Sequence, residues 1–230
     1  MLIYLKGKSD SFMPEILNET EARIVGALVE KQLTTPEYYP LTLNALVNAC
    51  NQKNNREPVM SLDETTVSNA LERLRDRNIV YVFYGSTSRV PKYKHMLPSI
   101  YELEPAEVAV IAVLLLRGPQ TLGELRERTG RMHEFDSLGE VQETLDELAR
   151  REDPLVIKLE RLAGQKDARY AHLLSGAIDV EALAAAQVTS SRGNIGGNER
   201  IEKLEAEVAA LRTELDAVKT EMAEFKKQFE

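Results

Sequence analysis

Cysteine is almost absent from this sequence, in which Cys50 is the single example among 230 residues. No disulfide can therefore form within one chain, and no cluster of cysteine and histidine has the spacing of a zinc site. A reducing compartment agrees with this composition. Cys50 lies in the apolar stretch LVNAC, which favours a small buried side chain over a reactive thiol.

Long apolar runs are absent as well, since no segment approaches the roughly 20 residues that a membrane-spanning helix needs. The first residues, MLIYLKGKSDSF, lack the apolar stretch and cleavage site of a signal peptide. We therefore expect a cytoplasmic protein with no membrane partner. Residues 1–16 predict no more than a disordered N-terminal extension.

Positive charge is scarce: 29 Lys and Arg face 37 Asp and Glu, for a net charge of -8. This balance opposes binding to nucleic acid, because phosphate affinity depends on Lys and Arg. The charge is unevenly distributed, however. Residues 18–101 hold 10 basic and 9 acidic residues, whereas residues 102–176 hold 10 and 15. The first segment therefore has a net charge of +1, whereas the second has a net charge of -5.

Motifs for catalysis and cofactor binding are also missing. His95 and His172 occupy equivalent positions of an internal repeat, which favours a structural role, and His133-Glu134 lacks the second histidine of a metalloprotease helix. The glycines of SSRGNIGGNE lack the Lys-Ser or Lys-Thr of a phosphate loop. We therefore expect a protein that is not an enzyme, with no catalytic residues, no metal and no cofactor.

What the sequence does contain is an internal repeat. The segment LNETEARIVGALVEK recurs 86 residues later as LEPAEVAVIAVLLLR, and its paired apolar positions predict a first helix in each copy. TLNALV and TLGELR then match as second helices, with Thr42 and Thr121 as N-caps. Asp63 and Ser137 are the corresponding N-caps of the third helices.

Two apolar strands follow each third helix. IVYVFY and LVIKL predict the first strand of each pair, and KYKHML and RYAHLL predict the second. Three helices followed by a hairpin is the order of the winged helix-turn-helix. We therefore predict a mainly α fold with small β-hairpin wings (α+β), with winged-helix domain 1 at 17–101 and winged-helix domain 2 at 102–176.

Three longer segments make the sequence recognisable: EKQLTTPEYYPLTLNALVNACNQKNNREPVM, LLLRGPQTLGELR and RREDPLVIKL. They closely resemble the YceH family of uncharacterised bacterial proteins, over about residues 17–175. The resemblance implies a tandem winged-helix fold and no established activity. Function must therefore be argued from the residues.

The end of the chain predicts a coiled coil. Residues 177–199 read as a flexible linker, and residues 200–230 alternate apolar spacings of three and four. The resulting dimer seam consists of Ile201, Leu204, Val208, Leu211, Leu215, Val218, Met222, Phe225 and Phe229. In a parallel pair, g and e residues such as Glu207 and Arg212 would meet with opposite charge. We expect the chain to pair with itself in this way; the alternative is a single helix that packs on its own domains.

The third helix of domain 1 carries one set of candidate contact residues. Its outward polar side chains are suited to phosphates and base edges. They are Thr65, Thr66, Ser68, Asn69 and Arg73. An ordinary solvated helix face is an equally good interpretation, since cations near a helix C-terminus also complement its dipole.

An insertion between the second and third helices, found only in domain 1, carries the other set. It holds the densest polar run of the chain: Asn51, Gln52, Lys53, Asn54, Asn55 and Arg56. A structural loop explains several of these asparagines, because asparagine tolerates left-handed backbone. Together with Arg89 and Lys92 of the wing, the run predicts one positively charged surface for nucleic acid or an acidic protein.

Two functions remain open. The first is a dimeric, non-enzymatic DNA-binding protein, like a transcription regulator, in which domain 1 contacts duplex DNA. The second is a protein-interaction adaptor that does not bind DNA. The third helix of domain 2 would repel phosphate and could meet another protein, since it carries Glu140, Glu143, Asp146 and Glu147. Charge favours the adaptor, and the frequency of the fold among DNA-binding proteins favours the first function.

Overall fold

The computed structural model describes residues 16–84, 90–161 and 166–176. These residues form an α+β structure of helices and two small antiparallel sheets. Arg89, the linker and the coiled-coil seam lie outside the described residues, as does all of the N-terminal extension except Ile16.

The first copy of the repeat forms three helices in the predicted order. They are α1 (Glu19–Thr34), α2 (Leu43–Cys50) and α3 (Glu64–Asp76). The predicted N-caps Thr42 and Asp63 are confirmed. Their side chains accept hydrogen bonds from the backbone N–H groups of Ala45 at 3.4 Å and Thr66 at 2.6 Å.

The predicted hairpin of the first copy is also present, within a sheet of three strands. The strands are β1 (Leu41–Thr42), β2 (Val80–Phe83) and β3 (Lys92–His95), in the order β1-β3-β2. The strand β1 was not predicted; its Leu41 pairs with Tyr93 of β3. Two short helices were also missed, namely a 3-10 helix at Pro36–Tyr38 and α4 at Leu97–Tyr101.

The second copy follows the same order of elements. It comprises α5 (Pro105–Arg117), α6 (Leu122–Thr129), α7 (Leu138–Arg150), β4 (Val156–Lys158) and β5 (Tyr170–His172). The N-caps Thr121 and Ser137 are formed as predicted. An isolated bridge between Gln120 and Tyr170 repeats the contact that β1 makes with β3 in the first copy.

The two copies share one hydrophobic core, built around the contact between α1 and α5. The helices approach each other closely at Gly26. A Cβ atom at this position would lie 2.9 Å from Leu116 Cγ and 3.0 Å from Leu115 Cβ, so only glycine permits the observed packing. The first helix of each copy is thus buried against the other.

Each of these first helices also carries a buried glutamate. Glu21 accepts ion-pair contacts from Arg73 at 2.8 Å and Arg77 at 3.0 Å. Its repeat equivalent, Glu107, accepts one from Arg151 at 2.8 Å. The third helix of each copy is thereby attached to the first through a charge that has little access to water.

No helix among the described residues is both long and apolar enough to cross a bilayer.

Candidate nucleic-acid interface

The helix α3 presents a polar face away from the core, as predicted. Its apolar residues Val67, Ala70, Leu71 and Leu74 are buried. Thr65, Thr66 and Asn69 are exposed, and Ser68 is half-buried. Hydroxyl and amide groups on such a face can bond phosphates or base edges.

Arg73 is only partly available for such contacts. Its Nε donates a hydrogen bond to Glu21 at 2.8 Å, yet the side chain remains 53% exposed. The guanidinium is therefore fixed in place at the edge of the polar face. The sequence pattern did not reveal the ion pair between Arg73 and Glu21, through which Arg73 contributes to the fold.

One face of the β2–β3 hairpin combines aromatic and basic side chains. Tyr81 lies opposite Lys94, and Phe83 lies opposite Lys92. Tyr81 is 54% exposed and Phe83 is 44% exposed, and Lys94 Nζ lies 5.3 Å from the centre of the Tyr81 ring. We call these four residues the hairpin face. The alternation in VYVF and KYK could have identified Tyr81, Phe83 and Lys94 beside the predicted Lys92.

The opposite face of the hairpin lies next to α3. Burial raises the pKa of Tyr93, and the charges of Arg75 and Glu72 on α3 also act on its hydroxyl. Val80, on the same side of β2, is buried. The hairpin is therefore placed beside the third helix of its own copy.

The loop after α2 is tied together by the residues that were predicted as contacts. Asn51 donates from Nδ2 to the carbonyl oxygen of Leu62 at 2.7 Å, and its Oδ1 accepts from the N–H of Leu62 at 2.8 Å. Gln52 Oε1 accepts a hydrogen bond from Arg56 at 3.0 Å. The two Asn51 bonds join the ends of the loop and the Gln52 bond stabilises its first part, as the alternative of a structural loop implied.

The expectation that Arg56 lies on an exposed surface is wrong. Arg56 is only 4% exposed, and its Nη2 lies 2.6 Å from a carboxylate oxygen of Glu30. Its Nε donates to the carbonyl oxygen of Ala49 at 3.1 Å. The guanidinium supplies donors to a buried carbonyl and a carboxylate, so a partner in solution has little access to it.

A second buried arginine supports the same loop. Arg23 donates from Nη1 to the carbonyl of Cys50 at 3.1 Å and from Nη2 to the carbonyl of Pro58 at 2.6 Å. The second copy lacks the loop and has Ala109 at the equivalent position of its first helix. This difference between the copies is the sequence signal that could have identified Arg23.

The remaining residues of the run, Lys53, Asn54 and Asn55, are exposed. Asn55 has a left-handed backbone (φ 62°), and its Oδ1 accepts a hydrogen bond from Arg117 at the end of α5. The structure therefore brings this part of the loop beside the second copy. Lys92, the described wing residue of the predicted surface, lies on the hairpin face.

The third helix of the second copy differs in charge from α3. Glu143 and Glu147 are exposed on α7, and Glu140 and Asp146 are half-buried. Asp146 also lies 3.4 Å from Arg150. This face would repel a phosphate backbone, which leaves α3 and the hairpin face as the candidate interface.

Three buried titratable groups, His95, His172 and Cys50, are held in their neutral forms. Burial lowers the pKa of His95 and of His172 to about 4, and burial raises the pKa of the Cys50 thiol to about 12. Across the residues that the structure describes, no three His, Cys, Asp or Glu side chains converge as they would around a metal ion.

The fold and its candidate interface define a duplicated α+β protein whose first copy is less acidic than its second. Residues 17–165 match the family described as "Protein of unknown function, DUF480", and the chain belongs to this family. The resemblance to YceH proteins noted from the sequence is thereby confirmed.

Bacterial relatives match most of the chain. A UPF0502 protein of Pelobacter propionicus is 51% identical, over 95% of this chain and 100% of its own length. A UPF0502 protein of Opitutus terrae is 52% identical over 86% of this chain and 84% of its own length. The UPF0502 protein YceH of Salmonella paratyphi C is 46% identical over 90% of this chain and 98% of its own length.

Proposed function

We propose that this protein is a non-enzymatic DNA-binding protein of two tandem winged-helix domains, at 17–101 and 102–176, and that domain 1 contacts the duplex. The observation that carries the proposal is the hairpin face beside α3. In this arrangement α3 would enter the major groove and the hairpin would contact the backbone beside it.

The chemistry of the two elements supports this assignment. Lys92 and Lys94 can release counterions from phosphates, which is the main source of affinity for DNA. Thr65 and Asn69 on α3 supply hydrogen-bonding groups of the kind that contact phosphates and base edges. The acidic face of α7 makes domain 2 a poor partner for the same duplex, so that domain would brace domain 1 or meet a protein.

Dimerisation is part of the proposal. Residues 200–230 would pair two copies through a parallel coiled coil, and the protein would act in the cytoplasm. A sedimentation experiment at micromolar concentration should find a dimer. A species that remains monomeric under these conditions would eliminate the coiled-coil pairing.

The DNA proposal is tested by fluorescence anisotropy of a labelled random duplex with the full-length protein at ~50 and ~200 mM salt. We expect binding at the lower salt concentration and a steep loss of affinity at the higher one. An absence of binding at the lower concentration would refute a DNA-binding function.

The contact surface is tested with the double variant Lys92→Ala and Lys94→Ala. A plot of log affinity against log salt concentration has a negative slope. If both lysines contact phosphates, the double variant should reduce the magnitude of this slope by about 2. The matched control, Lys158→Ala with Lys166→Ala, removes the same charge from domain 2. An equal effect of the two double variants would show that binding does not depend on the hairpin face.

One observation favours a second candidate, the protein-interaction adaptor. Tyr81, Phe83 and Tyr84 are exposed on the hairpin, and Tyr84 is 67% exposed. Aromatic side chains of this kind are common at the energetic centres of protein interfaces. Replacing Phe83 by Ala should weaken an adaptor's hold on its partner, whereas a purely electrostatic DNA contact should change little.

A further inference from the structure

A concave site lies between the two copies of the repeat, away from the residues used for the proposed function. Its cavity has a volume of about 310 Å³ and is enclosed by the end of α1, the loop after α2, the end of α5 and the region of α6. Five cationic side chains line it: Lys31, Lys53, Arg117, Arg128 and Arg131. A single carboxylate, Glu30, lies among them.

The carboxylate does not neutralise this group of cations. Glu30 is paired with the buried Arg56 at 2.6 Å, and Lys31 is more distant from it, at 3.7 Å. Arg128 contacts Glu124 at 3.4 Å, but Glu124 is shared with Arg169 at 2.8 Å. The wall of the cavity therefore keeps an excess of positive charge after its internal ion pairs are counted.

The cations are held close to one another by the fold. Lys31 and Arg117 are repeat equivalents at the ends of α1 and α5, and the packing of these two helices places both at one cavity. Asn55 accepts a hydrogen bond from Arg117. Burial lowers the pKa of Arg117, and the charge of Arg128 lowers it further, whereas the charges of Glu30 and Glu127 raise it and do not cancel the decrease. Such crowding would be relieved by a bound anion.

The helix dipole explains only part of this arrangement. The cations in the last turns of α1, α5 and α6, including Arg128, complement the negative ends of their own helices. Lys53 lies in the inserted loop and Arg131 follows α6, so neither lies in the last turn of a helix. The convergence of charges from four segments is what indicates a ligand.

The other side chains of the cavity are consistent with a small organic ligand. Val113, Leu116 and Met132 supply an apolar wall, and Gln52 and Asn54 supply amides. A volume of about 310 Å³ is at the lower end of the range for small-molecule sites, and its concave shape suits a compact ligand better than a duplex.

We propose that this cavity binds the phosphate group of a small organic anion, with Arg117, Arg128 and Arg131 as donors and Lys31 and Lys53 as further counter-charges. Arginine is suited to this role because its planar guanidinium can bond two phosphate oxygens at once. The inserted loop, which the second copy lacks, supplies Lys53 to the site.

The test is isothermal titration calorimetry of the full-length protein with inorganic pyrophosphate, at constant ionic strength maintained with sodium chloride. We expect saturable binding by the wild-type protein. The double variant Lys53→Ala and Arg131→Ala removes two exposed cations of the cavity, and it should bind at least about tenfold more weakly. The matched control, Arg150→Ala with Lys166→Ala, removes equal charge elsewhere and should bind like the wild type.

Two results would overturn the proposal. One is the absence of saturable heat with the wild-type protein at millimolar pyrophosphate. The other is equal binding by the wild type and by the Lys53 and Arg131 variant. Neither result bears on DNA binding, because α3 and the hairpin face are unchanged in these proteins.

Discussion

Two buried glutamates show how a single side chain can perform two structural tasks. Glu21 and Glu107 each accept a hydrogen bond from the backbone N–H at the start of their helix, at 3.1 and 2.9 Å. Each also receives an arginine that follows the third helix, namely Arg77 or Arg151. The same carboxylate thus caps one element and attaches another.

Replacement of Glu107 by Gln should therefore be costly. The substitution would leave Arg151 facing a neutral amide, and loss of one charge from such a pair destabilises a protein by roughly 3 kcal/mol. Urea unfolding would measure the change. The control is Asp76→Asn, which breaks the exposed pair with Arg75 and should cost less than about 1 kcal/mol. Similar costs for the two variants would contradict the structural role of Glu107.

Cys50 should be inert towards thiol reagents in the folded protein. Its side chain is fully buried, and burial raises its pKa to about 12, so little thiolate forms at neutral pH. A chromogenic disulfide reagent should react with one thiol per chain in concentrated guanidinium chloride and with almost none in buffer. Rapid reaction in buffer would show that the site opens readily.

At the scale of single residues, the sequence predicted local contacts well and distant ones poorly. The N-caps Thr42 and Asp63 depend on backbone groups within three residues, so they could be identified from spacing. The burial of Arg56 could not be identified in this way, because Arg56 lies in a loop and its partner Glu30 lies 26 residues away on α1. A run of polar residues indicates exposure only when its side chains do not form hydrogen bonds with groups that are distant in the sequence.

At the scale of the helices, α1 and α5 pack so closely at Gly26 that a larger side chain does not fit there. Replacing Gly26 by Ala would force a Cβ to within 3.0 Å of Leu115 and Leu116, and overpacking of this kind costs about 1 to 3 kcal/mol. We expect a lower free energy of unfolding despite the better helix propensity of alanine. The control is Gly123→Ala in α6, where no atom lies within 4 Å of the added Cβ. If both variants are equally stable, the helices can separate without cost.

The periodicity of the sequence predicted the longer helices and both hairpins, but not the two-residue strand β1. Such a strand is too short to show alternation, and it exists because Leu41 meets Tyr93 of β3. The contact between α1 and α5 was beyond prediction for a similar reason. Two wide apolar faces can be recognised separately, while their mutual packing depends on the whole fold.

For the molecule as a whole, the buried histidines predict a loss of stability in mild acid. Burial lowers the pKa of both His95 and His172 from 6.5 to about 4. The unfolded chain therefore binds more protons than the folded one between these values. The stabilisation is fully present above pH 6.5 and is lost as the pH falls towards 4.

The pH dependence of urea unfolding would measure this effect. Near pH 5 the wild-type protein should take up close to two more protons on unfolding than the double variant His95→Gln and His172→Gln. Buried carboxylates contribute equally to both proteins, so the difference isolates the histidines. Identical pH dependence would mean that the imidazoles reach solvent in the folded state.

The shared core also bears on the ancestry of this chain. A duplicated gene product begins as two units that can be separated. In this chain, the first helix of each unit covers the apolar face of the other and excludes water from it. A cut between Tyr101 and Glu102 would expose an apolar stripe on both fragments. We therefore expect the two halves to fold as one unit, and deletion of either half to leave the other without part of its core.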